Sequence, residues 1–135
     1  AKQTVKKLLD LGKNPAECKV LVMGITFKEN VGDIRNTRVA DLVKELKSYR
    51  VMVDVVDPMA DEQDVARNFG IKLGVQGSGF RVQGMYDSVI VAVPHHDYKN
   101  LKESDFTKML KPDGLLVDVK GIYRNKIKTL NYWSL

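Results

Sequence analysis

Apolar positions along the chain fall into two rhythms that alternate with each other. Mostly apolar runs occupy residues 20–23 (VLVM), 51–56 (VMVDVV), 88–93 (SVIVAV) and 115–119 (LLVDV). Runs of this length predict strands buried on both faces, because a strand with one wet face would alternate apolar and polar residues. A shorter run at residues 71–73 predicts one more strand. Between the runs the spacing lengthens. Val39, Leu42, Val43 and Leu46 stand at i, i+3, i+4 and i+7, which predicts an amphipathic helix over about residues 38–49. Val65, Ala66 and Phe69 predict a shorter helix, capped by Asp61 and ended by Gly70 in a left-handed turn. Leu101, Phe106, Met109 and Leu110 outline another. Pro58, after Asp57, and Pro94 each end a strand, since proline lacks the N–H that would continue the ladder. Pro112-Asp113-Gly114 reads as a turn.

Strands that alternate with helices imply right-handed crossovers and a parallel sheet. The fold class is therefore α/β: a Rossmann-like three-layer sandwich, with a mostly parallel sheet of five or six strands and helices on both faces. Residues 1–17 read as the end of a linker helix and its connection, and residues 18–135 as one domain. Residues 74–84 carry several glycines without a clear period and read as a loop. Gly77-Ser78-Gly79 opens like a dinucleotide fingerprint, but the third glycine, Gly84, comes too late and no helix pattern follows.

In parallel sheets ligands bind at the carboxyl ends of the strands. The first strand ends in Gly24, its loop carries Phe27, Lys28, Asp33 and Arg35, and Asn36 or Thr37 is placed to cap the following helix. A helix N-terminus with cations beside it is suited to an anion. The other strand ends supply Asp57, then His95 and His96, then Lys120. The first strand normally lies centrally, beside the one ending at Pro94, so Lys28 and Lys120 are expected to bracket one elongated phosphorylated ligand. Stopping a strand is reason enough for Asp57, and Asp33 and Asp118 are read as orienting the loop and a strand end. The histidines receive no role, because one cysteine and no HxxxH spacing leave them without metal-ligand company.

Composition narrows the classes. The 135 residues are 44% hydrophobic, near the size of one domain with an adequate core. The net charge of +5, from 22 basic and 17 acidic residues, is spread along the chain and does not call for nucleic acid. Cys18 has no partner for a disulfide, no run approaches the ~18 residues of a membrane span, and the first residues lack a signal-peptide core. The expectation is a soluble, cytoplasmic protein.

Four segments taken together carry a resemblance: GITFKENVGDIRNT at residues 24–37, Asp57-Pro58, PHHDY at 94–98 and VDVKGIY at 117–123. In order and spacing they resemble the C-terminal, UDP-binding domain of the UDP-glucose/GDP-mannose dehydrogenase family. The closing NYWSL is similar to the branch that acts on UDP-N-acetylhexosamines. The resemblance implies a larger NAD-dependent 6-dehydrogenase that oxidises the C6 alcohol of a UDP-sugar to a carboxylate, for surface polysaccharide precursors. It further implies an N-terminal domain that binds most of the NAD, and a central helical region that forms a homodimer and holds the catalytic cysteine. Cys18 precedes the first strand and does not match that cysteine, so no catalytic residue is assigned to this chain, which is expected to be inactive alone. By the resemblance, Phe27 and Lys28 hold substrate, Lys120 stands where UDP-glucose enzymes usually have arginine, and Arg35 reaches toward the NAD phosphates. A lysine gives a point charge in place of a planar fork. The alternative is a non-catalytic nucleotide-binding or assembly module of the same fold.

Overall fold

The run after Cys18 becomes the central strand of a computed structural model that describes residues 1–74 and 86–134. The predicted glycine loop at residues 74–84, apart from Gly74, lies outside the described residues. Strand β1 (Lys19–Met23) pairs on one side with β2 (Met52–Val56) and on the other with β3 (Tyr86–Val91). β3 pairs with β4 (Leu110–Asp118), and β4 with β5 (Asn131–Ser134). The order is β2-β1-β3-β4-β5, and every pairing is parallel. Leu73 adds one parallel bridge to Val55 on the outer edge of β2.

Burial on both faces explains why β1 is apolar without a break. Val20 and Val22 face a core completed by Val5 and Leu8 of helix α1 (Lys2–Asp10), Val43 and Leu46 of α2 (Val39–Ser48) and Val65 of α3 (Glu62–Phe69). Leu21 and Met23 face the opposite core, which holds Tyr98 of α4 (His96–Lys99), Phe106 and Met109 of α5 (Glu103–Met109), and Tyr123. Fully burying one such aliphatic side chain contributes about 1.5–3 kcal/mol, so the sheet is held from both sides.

Local signals act as their chemistry requires. Asp61 accepts the Asp64 N–H at 3.0 Å and starts α3, and Gly70, at φ 65°, ends it. Gly24 is required where β1 hands over to its loop: it sits at φ 96°, and a Cβ there would lie 2.6 Å from Val93 Cβ.

Three expectations need correction. The strand expected at residues 71–73 is only the bridge at Leu73, because Gly70 and Gly74 flank it and leave too few residues for a ladder. The run at residues 115–119 is not the last strand: NYWS forms β5, an edge strand only half buried, whose mixed composition hides the strand period. Leu110 leaves the helix pattern and opens β4. The turn at Pro112-Asp113-Gly114 is absorbed into that strand as the register shift between the Tyr86–Leu110 and Ser88–Leu115 pairs.

Candidate functional site

Parallel strands bring all their carboxyl ends to one edge of the sheet, and there the described residues enclose a cavity of about 450 Å³. Ile90, Ala92, Val117 and Val119 give it apolar walls, Trp133 of β5 and the start of α1 close one side, and Phe27 and the first turn of α2 lie along another. Phe27 is 53% exposed, far more than a core phenylalanine. Lys120 also lines the cavity and has no hydrogen-bond or ion-pair partner among the described residues. So does Arg38, the residue just before α2, whose side chain has no partner either. Two cations without partners among the described residues and a helix N-terminus thus line one apolar-walled hollow. The α2 entry is built as the sequence suggests, in part. Thr37 Oγ1 accepts the Val39 N–H at 3.2 Å, whereas Asn36 takes a positive φ of 60° and is not the cap.

The expected site residues are not all brought together. Phe27 and Lys120 share the cavity. Lys28 follows Phe27 on an exposed loop and is not among the residues lining it. Arg35 is exposed and lies in a fork with Asp33, Nε to Oδ1 and Nη2 to Oδ2, both at 3.1 Å. Those side-chain bonds, and the Arg35 N–H bonded to the same carboxylate, hold Asp33 below the usual carboxylate range. Arg38 was missed by sequence reasoning, because a residue at the start of a helix pattern reads as a solvated cap neighbour. Its place two residues after Asn36, beside an anion-ready N-terminus, is the signal that was available.

Behind the cavity wall lies a hub in which the sequence marked Asp57 only as a strand stop and gave His95 no role. Asp57 is fully buried and accepts five hydrogen bonds. Oδ2 takes the N–H groups of Ile25 at 2.6 Å and Thr26 at 3.2 Å, together with His95 Nε2 at 3.0 Å. Oδ1 takes the N–H groups of Met59 at 2.7 Å and Ala60 at 2.9 Å. Burial raises this carboxyl, but the bonds from His95 and from the Ile25 and Met59 N–H groups outweigh it and hold Asp57 below its ordinary value. His95 is buried as well. Its Nδ1 accepts the Asn30 N–H at 2.9 Å, so the ring proton sits on Nε2, shared between Asp57 and Thr26 Oγ1 at 3.1 Å. Thr26 Oγ1 donates to the Lys28 carbonyl at 2.9 Å. His96, by contrast, is exposed and donates its N–H to Asn30 Oδ1 at 2.7 Å.

Asp118, at the end of β4, performs a similar task one strand away. It accepts the N–H groups of Gly121, Ile122 and Tyr123 and the Tyr132 hydroxyl, and so fixes the chain on both sides of Lys120. At the opposite edge of the sheet, Asp87 accepts from Lys13, Lys111 and the Lys19 N–H, and Cys18 is buried nearby. Burial and the Asp87 charge push the Cys18 thiol up, which is the reverse of a nucleophile's requirement. No group of three or more metal-ligating side chains occurs among the described residues, and no helix there is long and apolar enough to cross a membrane.

Residues 21–125 match the UDP-glucose/GDP-mannose dehydrogenase family, UDP binding domain. The UDP-N-acetyl-D-glucosamine 6-dehydrogenase of Pseudomonas aeruginosa is 39% identical over 118 residues, covering 87% of this chain and 27% of its own length. The enzyme of the same name from Salmonella typhi is 39% identical over 122 residues, 90% of this chain and 28% of its own. The UDP-D-ManNAc dehydrogenase of Pyrococcus horikoshii superposes with a TM-score of 0.77 at 18% identity, over 97% of this chain and 28% of its own. The chain therefore spans roughly a quarter of the length of the curated relatives it matches.

Proposed function

This chain belongs to the UDP-glucose/GDP-mannose dehydrogenase family as its UDP binding domain, and from that premise we propose that its cavity holds the nucleotide of a UDP-N-acetylhexosamine. The observation that carries the reading is the meeting of Lys120, Arg38 and the start of α2 with Phe27 in one apolar-walled hollow at the carboxyl edge of the sheet. Phosphate oxygens call for cations and free N–H groups, and a nucleoside calls for flat apolar walls. Phe27 forms a wall, Lys120 and Arg38 take the diphosphate, and Lys28 meets the part of the sugar nucleotide that leaves the cavity. The substrate class follows the two relatives named for UDP-N-acetyl-D-glucosamine.

The whole protein, in this reading, is a cytoplasmic homodimer that oxidises the C6 alcohol of the sugar, with NAD-binding and central helical domains supplied outside this chain. Residues 1–17 then serve as the end of the linker helix, and α1 of this segment packs against the core through Val5 and Leu8. NAD, when bound, accepts the hydride. This chain's assigned contribution to it is Arg35, whose exposed fork on Asp33 leaves Nη1 free for a phosphate oxygen.

Magnitudes restrict what the chain does alone. Two charge-assisted contacts at about 1.5–3 kcal/mol each and a helix terminus at about 0.3–1 sum to roughly 3–7 kcal/mol before ordering costs, which leaves a millimolar or, at best, tens-of-micromolar Kd. Calorimetry or NMR titration with UDP is expected to show saturable binding, with shifts at Phe27, Arg38 and Lys120. Absence of saturation at several millimolar overturns the reading. No NADH is expected to form when the chain is mixed with NAD and UDP-sugar.

A further inference from the structure

We propose that His95 is a positioning residue for the nucleotide: through its Nδ1 contact to the Asn30 N–H it holds the loop that presents Phe27 and Lys28. The inference rests on the UDP reading above and adds to it a residue that never touches the ligand.

The loop from Thr26 to Thr37 is long and turns on positive φ values at Asn30 (63°) and Asn36 (60°), a left-handed conformation that asparagine tolerates better than most other side chains. Its two ends are tied by the Thr26 Oγ1–Lys28 carbonyl and Thr37 Oγ1–Thr26 carbonyl bonds and by the buried Ile34. The Phe27 N–H bonds to the Asp33 carbonyl at 2.7 Å and closes the loop on itself. Its outer turn is fastened to the rest of the protein through Asn30, whose N–H and Oδ1 reach His95 Nδ1 and the His96 N–H. His95 itself cannot shift easily, because Asp57 and Thr26 hold its Nε2 and Tyr98 lies against its ring with centroids 5.9 Å apart. The imidazole is therefore a rigid spacer with an acceptor on the loop side and a donor on the carboxylate side. Removing the acceptor leaves the outer turn on the Asn30 Oδ1–His96 N–H contact alone while leaving Asp57 satisfied. Removing the donor does the reverse.

Two substitutions separate the halves of the ring. In His95→Asn the amide oxygen stands where Nδ1 does and keeps the Asn30 contact. In His95→Gln the amide nitrogen reaches the place of Nε2 and keeps only Asp57. UDP titration followed by 15N NMR of the chain is expected to give a Kd within about threefold of the parent for His95→Asn and roughly tenfold weaker for His95→Gln, the loss of one ordering hydrogen bond. In the unsubstituted chain the ring nitrogens are expected to show an unprotonated Nδ1 and a protonated Nε2. Equal binding by all three proteins, an equal loss in both variants, or a protonated Nδ1 overturns the positioning role alone. No saturable UDP shift in the unsubstituted chain overturns the functional reading and this inference together. Should neither variant fold, the unsubstituted chain serves: a 15N scalar coupling across the hydrogen bond from the Asn30 amide to His95 Nδ1 is expected, both free and with UDP bound. Absence of that coupling counts against the positioning role.

Discussion

The cavity's affinity for a diphosphate depends on side chains that have nothing else to hold. Lys120 and Arg38 lack partners among the described residues, whereas Arg35 is already engaged by Asp33. Replacing Lys120 or Arg38 with alanine is therefore expected to weaken UDP binding by roughly 10- to 100-fold, about 1.5–3 kcal/mol per charge-assisted contact, and calorimetry reads this directly. Folding stability should barely change, because neither cation holds the structure. Asp57 is the opposite case. Its folded pKa is lowered, so its contribution to stability is complete above the unfolded value near 3.9 and disappears as pH falls through the folded value. Chemical denaturation from pH 7 to about pH 2 is expected to show a steep acid limb beginning near pH 4. In Asp57→Asn that limb should flatten, with about 3 kcal/mol lost at pH 7 because buried donors and His95 lose their charged acceptor.

Among the elements, the junctions decide more than the interiors. β1 and β3 approach each other so closely at their carboxyl ends that Gly24 has no room for a methyl group, with Val93 backbone atoms at 2.9 and 3.0 Å from the place a Cβ would occupy. Gly24→Ala is expected to lose more than about 2 kcal/mol, from the positive φ and the displacement of Val93 together, and thermal unfolding measures it. A loss below 1 kcal/mol would mean that the two ends separate without cost. β4 and the chain after it are fastened differently, by four donors on Asp118. A buried carboxylate with that many donors orients the backbone that carries Lys120, and it has no free lone pair directed at a ligand.

For the molecule as a whole, a ligand that binds only the folded state stabilises it by mass action. UDP at a hundredfold excess over its Kd should contribute about 2.7 kcal/mol, visible as a melting temperature that rises with concentration. UMP, with one phosphate fewer, is expected to give a smaller rise at equal concentration. A melting point indifferent to both would remove the nucleotide from the cavity.

How much of this was legible in the sequence varied with the range of the interaction involved. The apolar runs of β1, β3 and β4, the helical period of α2, Asp61 as a cap and Gly70 as a terminator were all readable, because each depends on residues a few positions apart. The four-segment resemblance placed the chain in its family, which the family match over residues 21–125 shows. NYWS escaped because an edge strand is shielded on fewer sides and need not alternate cleanly. The three-residue strand was over-read because a single bridge and a strand look alike over that length.

Sequence alone determined the layers, the parallel order of alternation and the edge at which chemistry collects, since hydrophobic period and chain-end signals are local properties and parallel strands share one direction. Tertiary structure decided which cations meet. It placed Arg38 with Lys120 and left Lys28 out of the cavity, and it joined Asp57, read as a strand stop, to His95, read without a role, in a buried hub. The physical reason is that side-chain direction at a strand or helix end is set by contacts with residues such as Asn30 and His95, 65 positions apart, and no local pattern encodes such a contact.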